Sequence, residues 1–244
     1  MKSKNIFAVL LVVSALCALP TLASAHERQV INIGGTDYLF VVGSLGEPVV
    51  VDDKTGVDFR IKVADPKDPT NASGAGAKPV TGLEQTLKVE LIAGDKKKTQ
   101  DLTPAYNDAG AYKTTFFPTV QTTLTYRFFG TINNTPVDLS FVCNPAGSPK
   151  VADDKTSVSL GTGVTRTFKA GGFGCPLAKE DLGFPEDAMT VLGLHEDLHG
   201  DMDGMMKTMA TDQANNQSGA AITFGLLGMV FGIIAFIKAR RSKE

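Results

Sequence analysis

The hydrophobic positions in the first two thirds of the chain follow a period of two. The clearest run covers residues 56–64, where Val57, Phe59 and Ile61 alternate with Asp58 and Arg60. This alternation is typical of a half-buried strand. Seven further β-like runs are residues 28–33, 38–42, 48–51, 87–92, 112–117, 123–130 and 137–143. Their lengths and turn spacing predict a mainly β chain, with an antiparallel immunoglobulin-like β-sandwich over residues 26–145.

The segments between these runs are predicted to be turns and loops. Residues 65–82 are rich in Pro, Gly, Asn and Ser, which favours a long exposed loop. Residues 95–98 (DKKK) are predicted to form a charged turn. Beyond the sandwich, residues 157–160 and 164–169 can pair as a hairpin. We therefore expect a small β extension over residues 146–184.

The hydrophobic period changes after Pro185. His195, Leu198, Met202, Met205 and Met209 follow at steps of three and four, as on one face of a helix. Proline suits the first turn of a helix, so Pro185 marks the expected start. The pattern predicts a helical stalk and juxtamembrane linker over residues 185–218, weakened by glycines 193, 200 and 204.

The last apolar stretch, residues 219–237, contains no charged residue. Nineteen helical residues span roughly 28 Å, close to the thickness of a bilayer core, which predicts a C-terminal transmembrane helix. Basic residues follow in a tail over residues 238–244, so the C-terminus is expected in the cytoplasm. Gly228 and Gly232 form a G-x-x-x-G motif, which predicts self-association of the span as a homo-oligomer.

The N-terminus has the three parts of a secretory signal peptide. Lys2 and Lys4 precede an apolar core over residues 6–19, and residues 23–25 (ASA) form a cleavage site. Cys17 suggests lipid attachment instead, but Leu16 stands where a small residue is needed. Removal of residues 1–25 makes His26 the first residue of the mature chain. The ends together predict a single-pass type I protein of the plasma membrane, with its bulk extracytoplasmic (periplasmic or cell surface).

Composition and motifs exclude several functional classes. The formal net charge is -2, which does not favour nucleic acid as a partner. No G-x-S-x-G motif is present, and no spacing of carboxylates selects a catalytic pair. Glycines 171, 172 and 174 do not follow the G-x-G-x-x-G pattern of dinucleotide sites. We therefore predict that the protein is not an enzyme and has no organic cofactor site.

Two cysteines, Cys143 and Cys175, remain after removal of the signal peptide. An even number of cysteines in an oxidising compartment favours a disulfide. The alternative is a pair of thiolate metal ligands. No C-x-x-C motif or neighbouring histidine accompanies either cysteine, so the disulfide is the preferred interpretation.

The three histidines of the chain define two candidate metal sites. An N-terminal His26 offers its α-amine and a ring nitrogen to one ion, a donor set that suits Cu(II). His195 and His199 are four residues apart and share a helix face. Met202 and Met206 continue that face, and imidazole with thioether favours Cu(I). A methionine stripe at helical spacing is also typical of packing, so both interpretations of the stripe stand.

Several stretches resemble a known family. They are AHERQ, DYLFVVGSLGEP, GVDFRIKV, PVTGLEQTLKVEL, GAYKTTFFPT and YRFFGTINNTPVDLSF, between Ala25 and Cys143. They are similar to secreted, membrane-anchored immunoglobulin-like domains grouped with the CopC/YtkA-like copper-resistance proteins. The resemblance implies a periplasmic or cell-surface sandwich and copper bound at the mature N-terminal histidine, here His26. Where such sequences commonly carry a second histidine, this chain has Arg28.

These observations predict an extracytoplasmic, membrane-anchored binding protein with copper as its ligand. Metal held close to the bilayer makes a membrane transporter an expected partner. The alternative is a structural or adhesion module that binds protein or a cell-envelope polymer without metal.

Overall fold

The computed structural model describes residues 26–148 and 152–215. The predicted signal peptide (residues 1–25), Gly228 and Gly232, the span over residues 219–237 and the tail over residues 238–244 lie outside the described residues. The chain divides into two compact units between Ala188 and Met189, and each unit is described by itself.

The first unit contains a large antiparallel sheet. Its strands are β1 (His26–Ile33), β2 (Thr36–Ser44), β3 (Val57–Val63), β4 (Lys78–Pro79), β7 (Thr103–Pro104), β8 (Ala111–Lys113), β11 (Val158–Gly161) and β12 (Val164–Gly171). The order across the sheet is β11-β12-β1-β2-β3-β8-β7, and β4 pairs with β3. The predicted hairpin is formed by β11 and β12. Because β12 also pairs with β1, the hairpin is continuous with this sheet.

A second antiparallel sheet has four strands in the order β10-β9-β5-β6. They are β5 (Leu87–Ala93), β6 (Lys96–Asp101), β9 (Leu124–Ile132) and β10 (Thr135–Val142). Two 3₁₀ turns cover Leu83–Gln85 and Glu180–Leu182. The prediction of a mainly β chain with antiparallel sheets is confirmed, and the described residues contain one α-helix.

Aromatic side chains from both sheets meet in one core. Phe59 of β3 lies 4.5 Å from Phe128 of β9, measured between ring centroids, and Phe40 of β2 lies 6.3 Å from Phe141 of β10. All four are fully buried. Burying each such ring stabilises the fold by about 1.5–3 kcal/mol. The period of two seen in the sequence is the alternation between this core and the opposite faces.

The opposite face of the first sheet carries a smaller apolar cluster, which includes Val30, Leu39 and Phe168. The loop after β3 folds back over it, because Lys62 Nζ donates a hydrogen bond of 2.7 Å to the carbonyl oxygen of Ala72. Asp65 holds the loop by accepting backbone N–H bonds from residues 67 and 76. The loop predicted over residues 65–82 is therefore anchored, and it ends with the short strand β4.

A disulfide joins Cys143, at the end of β10, to Cys175. Residues 173–177 form a strap beside it. The N–H of Asn144 donates to the carbonyl of Phe173, and the N–H of Leu177 donates to the carbonyl of Val49. The strap thus connects the end of the second sheet to the loop that follows β2, and the predicted disulfide is confirmed.

The charged segment near residue 95 differs from its prediction. The turn is Gly94 with Asp95, and Lys96, Lys97 and Lys98 begin the edge strand β6. Almost every side chain of β6 is exposed, so the strand has no alternating pattern for the sequence to show. Its backbone pairing with β5 defines it, and lysines on an edge strand disfavour pairing with another chain.

The second unit contains helix α1 (Val191–Asn215). Thr190 caps it: its carbonyl accepts the N–H of Leu194, and its hydroxyl oxygen accepts the N–H of Gly193 at 3.0 Å. The helix therefore begins at Val191, six residues beyond the proline that was expected to start it, because a capping hydroxyl satisfies N–H groups that proline cannot. No helix within the described residues is long and apolar enough to cross a membrane.

Candidate metal centre

His26 begins β1 and reaches across the neighbouring strand. In the register of the sheet it lies opposite Gly43 of β2, which lies opposite Asp58 of β3. Gly43 has no side chain to fill the space between them. The imidazole Nε2 therefore reaches the carboxylate Oδ2 of Asp58 at 3.1 Å, two strands away.

Asp58 is held on its other side by Arg60. The Nε atom of Arg60 lies 3.5 Å from Oδ1 of Asp58, and its guanidinium also bonds Asp108. Burial raises the pKa of Asp58, but the hydrogen bond from His26 and the charge of Arg60 together bring that pKa below its ordinary value. Asp58 is therefore ionised at neutral pH and acts only as an acceptor.

The state of Asp58 determines the tautomer of His26. A carboxylate cannot donate, so Nε2 of His26 carries the proton in this pair. In the neutral ring the lone pair then lies on Nδ1. Metal-binding histidines commonly donate their second ring N–H to a carboxylate, which fixes the ring and increases its basicity. Nδ1 is the ring nitrogen nearer the backbone, so it is the one that can share an ion with the α-amine of an N-terminal His26.

Glu47 provides a second carboxylate near His26. Its Oε1 accepts the N–H of Ser44 at 3.2 Å. Burial raises the pKa of Glu47 above its ordinary value, although the Ser44 N–H and the nearby His26 act in the opposite direction. The hydroxyl of Ser44 in turn contacts the hydroxyl of Tyr126 in the core at 2.8 Å. The surroundings of His26 therefore contain two carboxylates, Asp58 and Glu47, and Glu47 is connected to the buried Tyr126 through Ser44.

The donor set fits one metal ion only in part. Within the described residues, no group of three or more His, Cys, Asp and Glu side chains is placed to hold a metal ion. Arg28, two residues after His26, lies opposite Val41 and supplies no nitrogen ligand. Among the described residues of this unit, His26 therefore offers the one imidazole, and Asp58 orients its ring.

The other predicted metal ligands lie in the second unit, on α1. The rings of His195 and His199 are 4.3 Å apart between centroids and meet edge to face. Met202 and Met206 follow on the same helix and are 50% and 58% exposed. The structure therefore brings the two histidines together, as the spacing predicted.

The cysteines do not form a thiolate site. Both sulfur atoms are joined in the disulfide, and Sγ of Cys143 accepts the backbone N–H of Leu124 at 3.0 Å. Of the two interpretations of the pair, the disulfide is correct.

Sequence reasoning missed Asp58 and Gly43. Asp58 belongs to the alternating run of residues 56–64, where its polarity indicated only an outward face. Its partner is 32 residues away in the chain, and the contact depends on a glycine in the strand between them. The only signal in the sequence was Gly43 itself, because a glycine inside an apolar strand can mark a place where another group approaches closely.

Comparisons of this chain with models of protein families, with curated proteins and with solved structures found no match.

Proposed function

We propose that this protein is an extracytoplasmic, membrane-anchored copper-binding protein whose first unit is an immunoglobulin-like sandwich. Cu(II) binds to the α-amine and Nδ1 of His26 after the signal peptide is removed. The observation that carries the proposal is the bond of 3.1 Å between Nε2 of His26 and Asp58, since it places the ring proton on the nitrogen that the chelate does not use.

The proposed location, outside the cytoplasm and anchored to a membrane, has support that does not depend on the copper site. Disulfides persist in oxidising compartments, and Cys143 is joined to Cys175. The sequence adds a signal-peptide pattern before His26 and an apolar run with basic residues after it. Self-association through Gly228 and Gly232, and a membrane transporter as a neighbour that exchanges copper, belong to the same proposal.

The test is a Cu(II) titration of the mature chain, with the N-terminus verified by mass spectrometry. We expect one tightly bound Cu(II) that is lost in His26→Ala. An N-terminally acetylated variant of the mature chain keeps the ring but blocks the α-amine, so it also loses this site. Unchanged Cu(II) affinity in both variants would overturn the proposal.

A different class of function is favoured by a second surface. Phe117 and Val120 are exposed beside a groove of about 170 Å³ that Lys96, Lys97 and Lys98 also line. An aromatic and basic groove suits an anionic cell-envelope polymer, as expected of an adhesion module. Binding of such a polymer that is lost in Phe117→Ala, in a chain without copper affinity, would favour this alternative.

A further inference from the structure

We infer that α1 carries a separate copper(I) site formed by His195, His199 and Met202. It differs from the site at His26 in its donor atoms and in the oxidation state of its ion, and it lies in the other unit of the chain. The inference does not depend on copper binding at His26.

Helix geometry brings these donors together. Each residue of an α-helix turns by about 100°, so His195, His199, Met202 and Met206 lie within an arc of roughly 60°. The helix is continuous from Val191 to Asn215, so the three glycines do not interrupt this face. Long side chains on a helix lean toward its N-terminus, which places the sulfur of Met202 over the turn that carries His199.

The identity of the third ligand follows from what surrounds the histidine pair. Two imidazoles fill only part of a coordination shell. No carboxylate or thiolate completes it in the part of the chain that the structure describes. Of the two thioethers on this face, that of Met202 is the nearer to His199 along the helix, and it is half exposed and therefore able to move toward an ion.

The donor set determines the ion. A thioether with two imidazoles is a soft set, which selects Cu(I) over ions that prefer oxygen ligands. Met206, four residues beyond Met202, provides the next sulfur along the same face. Ligation of Cu(I) thus explains why α1 carries exposed methionines without requiring that they pack against a partner.

The experiment is an anaerobic Cu(I) titration of the full mature chain in detergent micelles, against a chromogenic Cu(I) chelator. It is performed in a His26→Ala background, so that copper at His26 does not contribute. We expect one Cu(I) per chain, affinity reduced by at least about tenfold in Met202→Leu, equivalent to about 1.4 kcal/mol, and a larger loss when both His195→Ala and His199→Ala are present.

Met205→Leu is the matched control, because it makes the same change about 60° away from Met202 on the helix surface and should leave the affinity unchanged. X-ray absorption at the copper edge should show a sulfur neighbour that disappears in Met202→Leu. Full affinity in the double histidine variant, equal losses in Met202→Leu and Met205→Leu, or one ion per two chains with nitrogen neighbours only would each overturn the inference. Because the background lacks His26, none of these results bears on the proposed Cu(II) site.

Discussion

At the scale of single residues, Asp58 gives the proposed Cu(II) site its geometry. Asp58→Asn keeps the shape of the side chain and removes its charge. We expect Cu(II) affinity to fall by about 10–100-fold, the usual effect of losing a carboxylate that orients a histidine ligand. The measurement is the Cu(II) titration of the mature chain.

The matched control is Asp108→Asn. Asp108 is the other carboxylate bonded to Arg60, but it does not contact His26 in the described structure. If both variants lose the same affinity, the effect comes from Arg60, and orientation of His26 by Asp58 is contradicted.

The lowered pKa of Asp58 predicts that the free energy of unfolding depends on pH. The pKa of Asp58 is lower in the folded chain than its ordinary value, so the unfolded chain binds a proton more readily. Its stabilising contribution is therefore present above about pH 4, the usual pKa of an unfolded aspartate, and is lost as the pH falls through the folded value. Urea unfolding at several pH values should show a smaller acid-induced loss of stability in Asp58→Asn. Parallel pH profiles in the two proteins would contradict this assignment.

At the scale of elements, Gly43 of β2 determines whether His26 of β1 can reach Asp58 of β3 across the strand between them. Its φ is not among the positive values of the described residues, so the backbone conformation there is one that residues with a side chain can adopt. We expect Gly43→Val to keep the sheet, because valine favours strands, but to separate His26 from Asp58. The ¹⁵N chemical shifts of the His26 ring should then change, with a smaller change in Gly43→Ala. Unchanged shifts in Gly43→Val would show that the imidazole does not cross β2.

Helix α1 depends on its cap. Thr190→Ala removes the acceptor for the Gly193 N–H, and losing such a cap costs about 1 kcal/mol. We expect weaker helical circular dichroism from the full chain. Thr208→Ala is the matched control: its hydroxyl donates to the carbonyl of Gly204 within the helix, and alanine there should retain or increase helicity. Equal losses in both variants would show that Thr190 is not a cap.

The elements differ in how far the sequence predicted them. Strand β3 was predictable because its apolar side chains enter the core at every second position. Strand β6 was not, since its side chains are almost all exposed and only its backbone pairing with β5 defines it. The pairing of His195 with His199 was predictable because helix spacing is local. The contact of His26 with Asp58 was not, because it depends on strand register and on Gly43.

At the scale of the whole molecule, the disulfide connects the second sheet to the loop after β2. Replacing Cys143 and Cys175 by alanine should lower the free energy of unfolding by about 2–5 kcal/mol, the usual cost of removing a disulfide from a small secreted domain. The melting temperature of the double variant, compared with that of the oxidised wild-type chain, measures this loss. The reduced wild-type chain is the control, and its melting temperature should be similar to that of the double variant. A double variant as stable as the oxidised wild type would contradict a stabilising role.

The two units divide the proposed chemistry between them. The sheet unit offers nitrogen donors oriented by a carboxylate, and α1 offers imidazoles with thioethers. Such a division suits a protein that binds copper in both oxidation states at the outer surface of a membrane. The first site is the more closely defined of the two, because the hydrogen bond from His26 to Asp58 assigns its ligand atom.

The most direct test is a crystal structure of the mature chain loaded with one equivalent of Cu(II). We predict one anomalous peak at about 2 Å from both the α-amine and Nδ1 of His26, the usual length of a bond from a metal to nitrogen. We also expect Nε2 to remain bonded to Asp58. A copper ion bound to Nε2, with Asp58 displaced, or a peak remote from His26, would contradict this prediction.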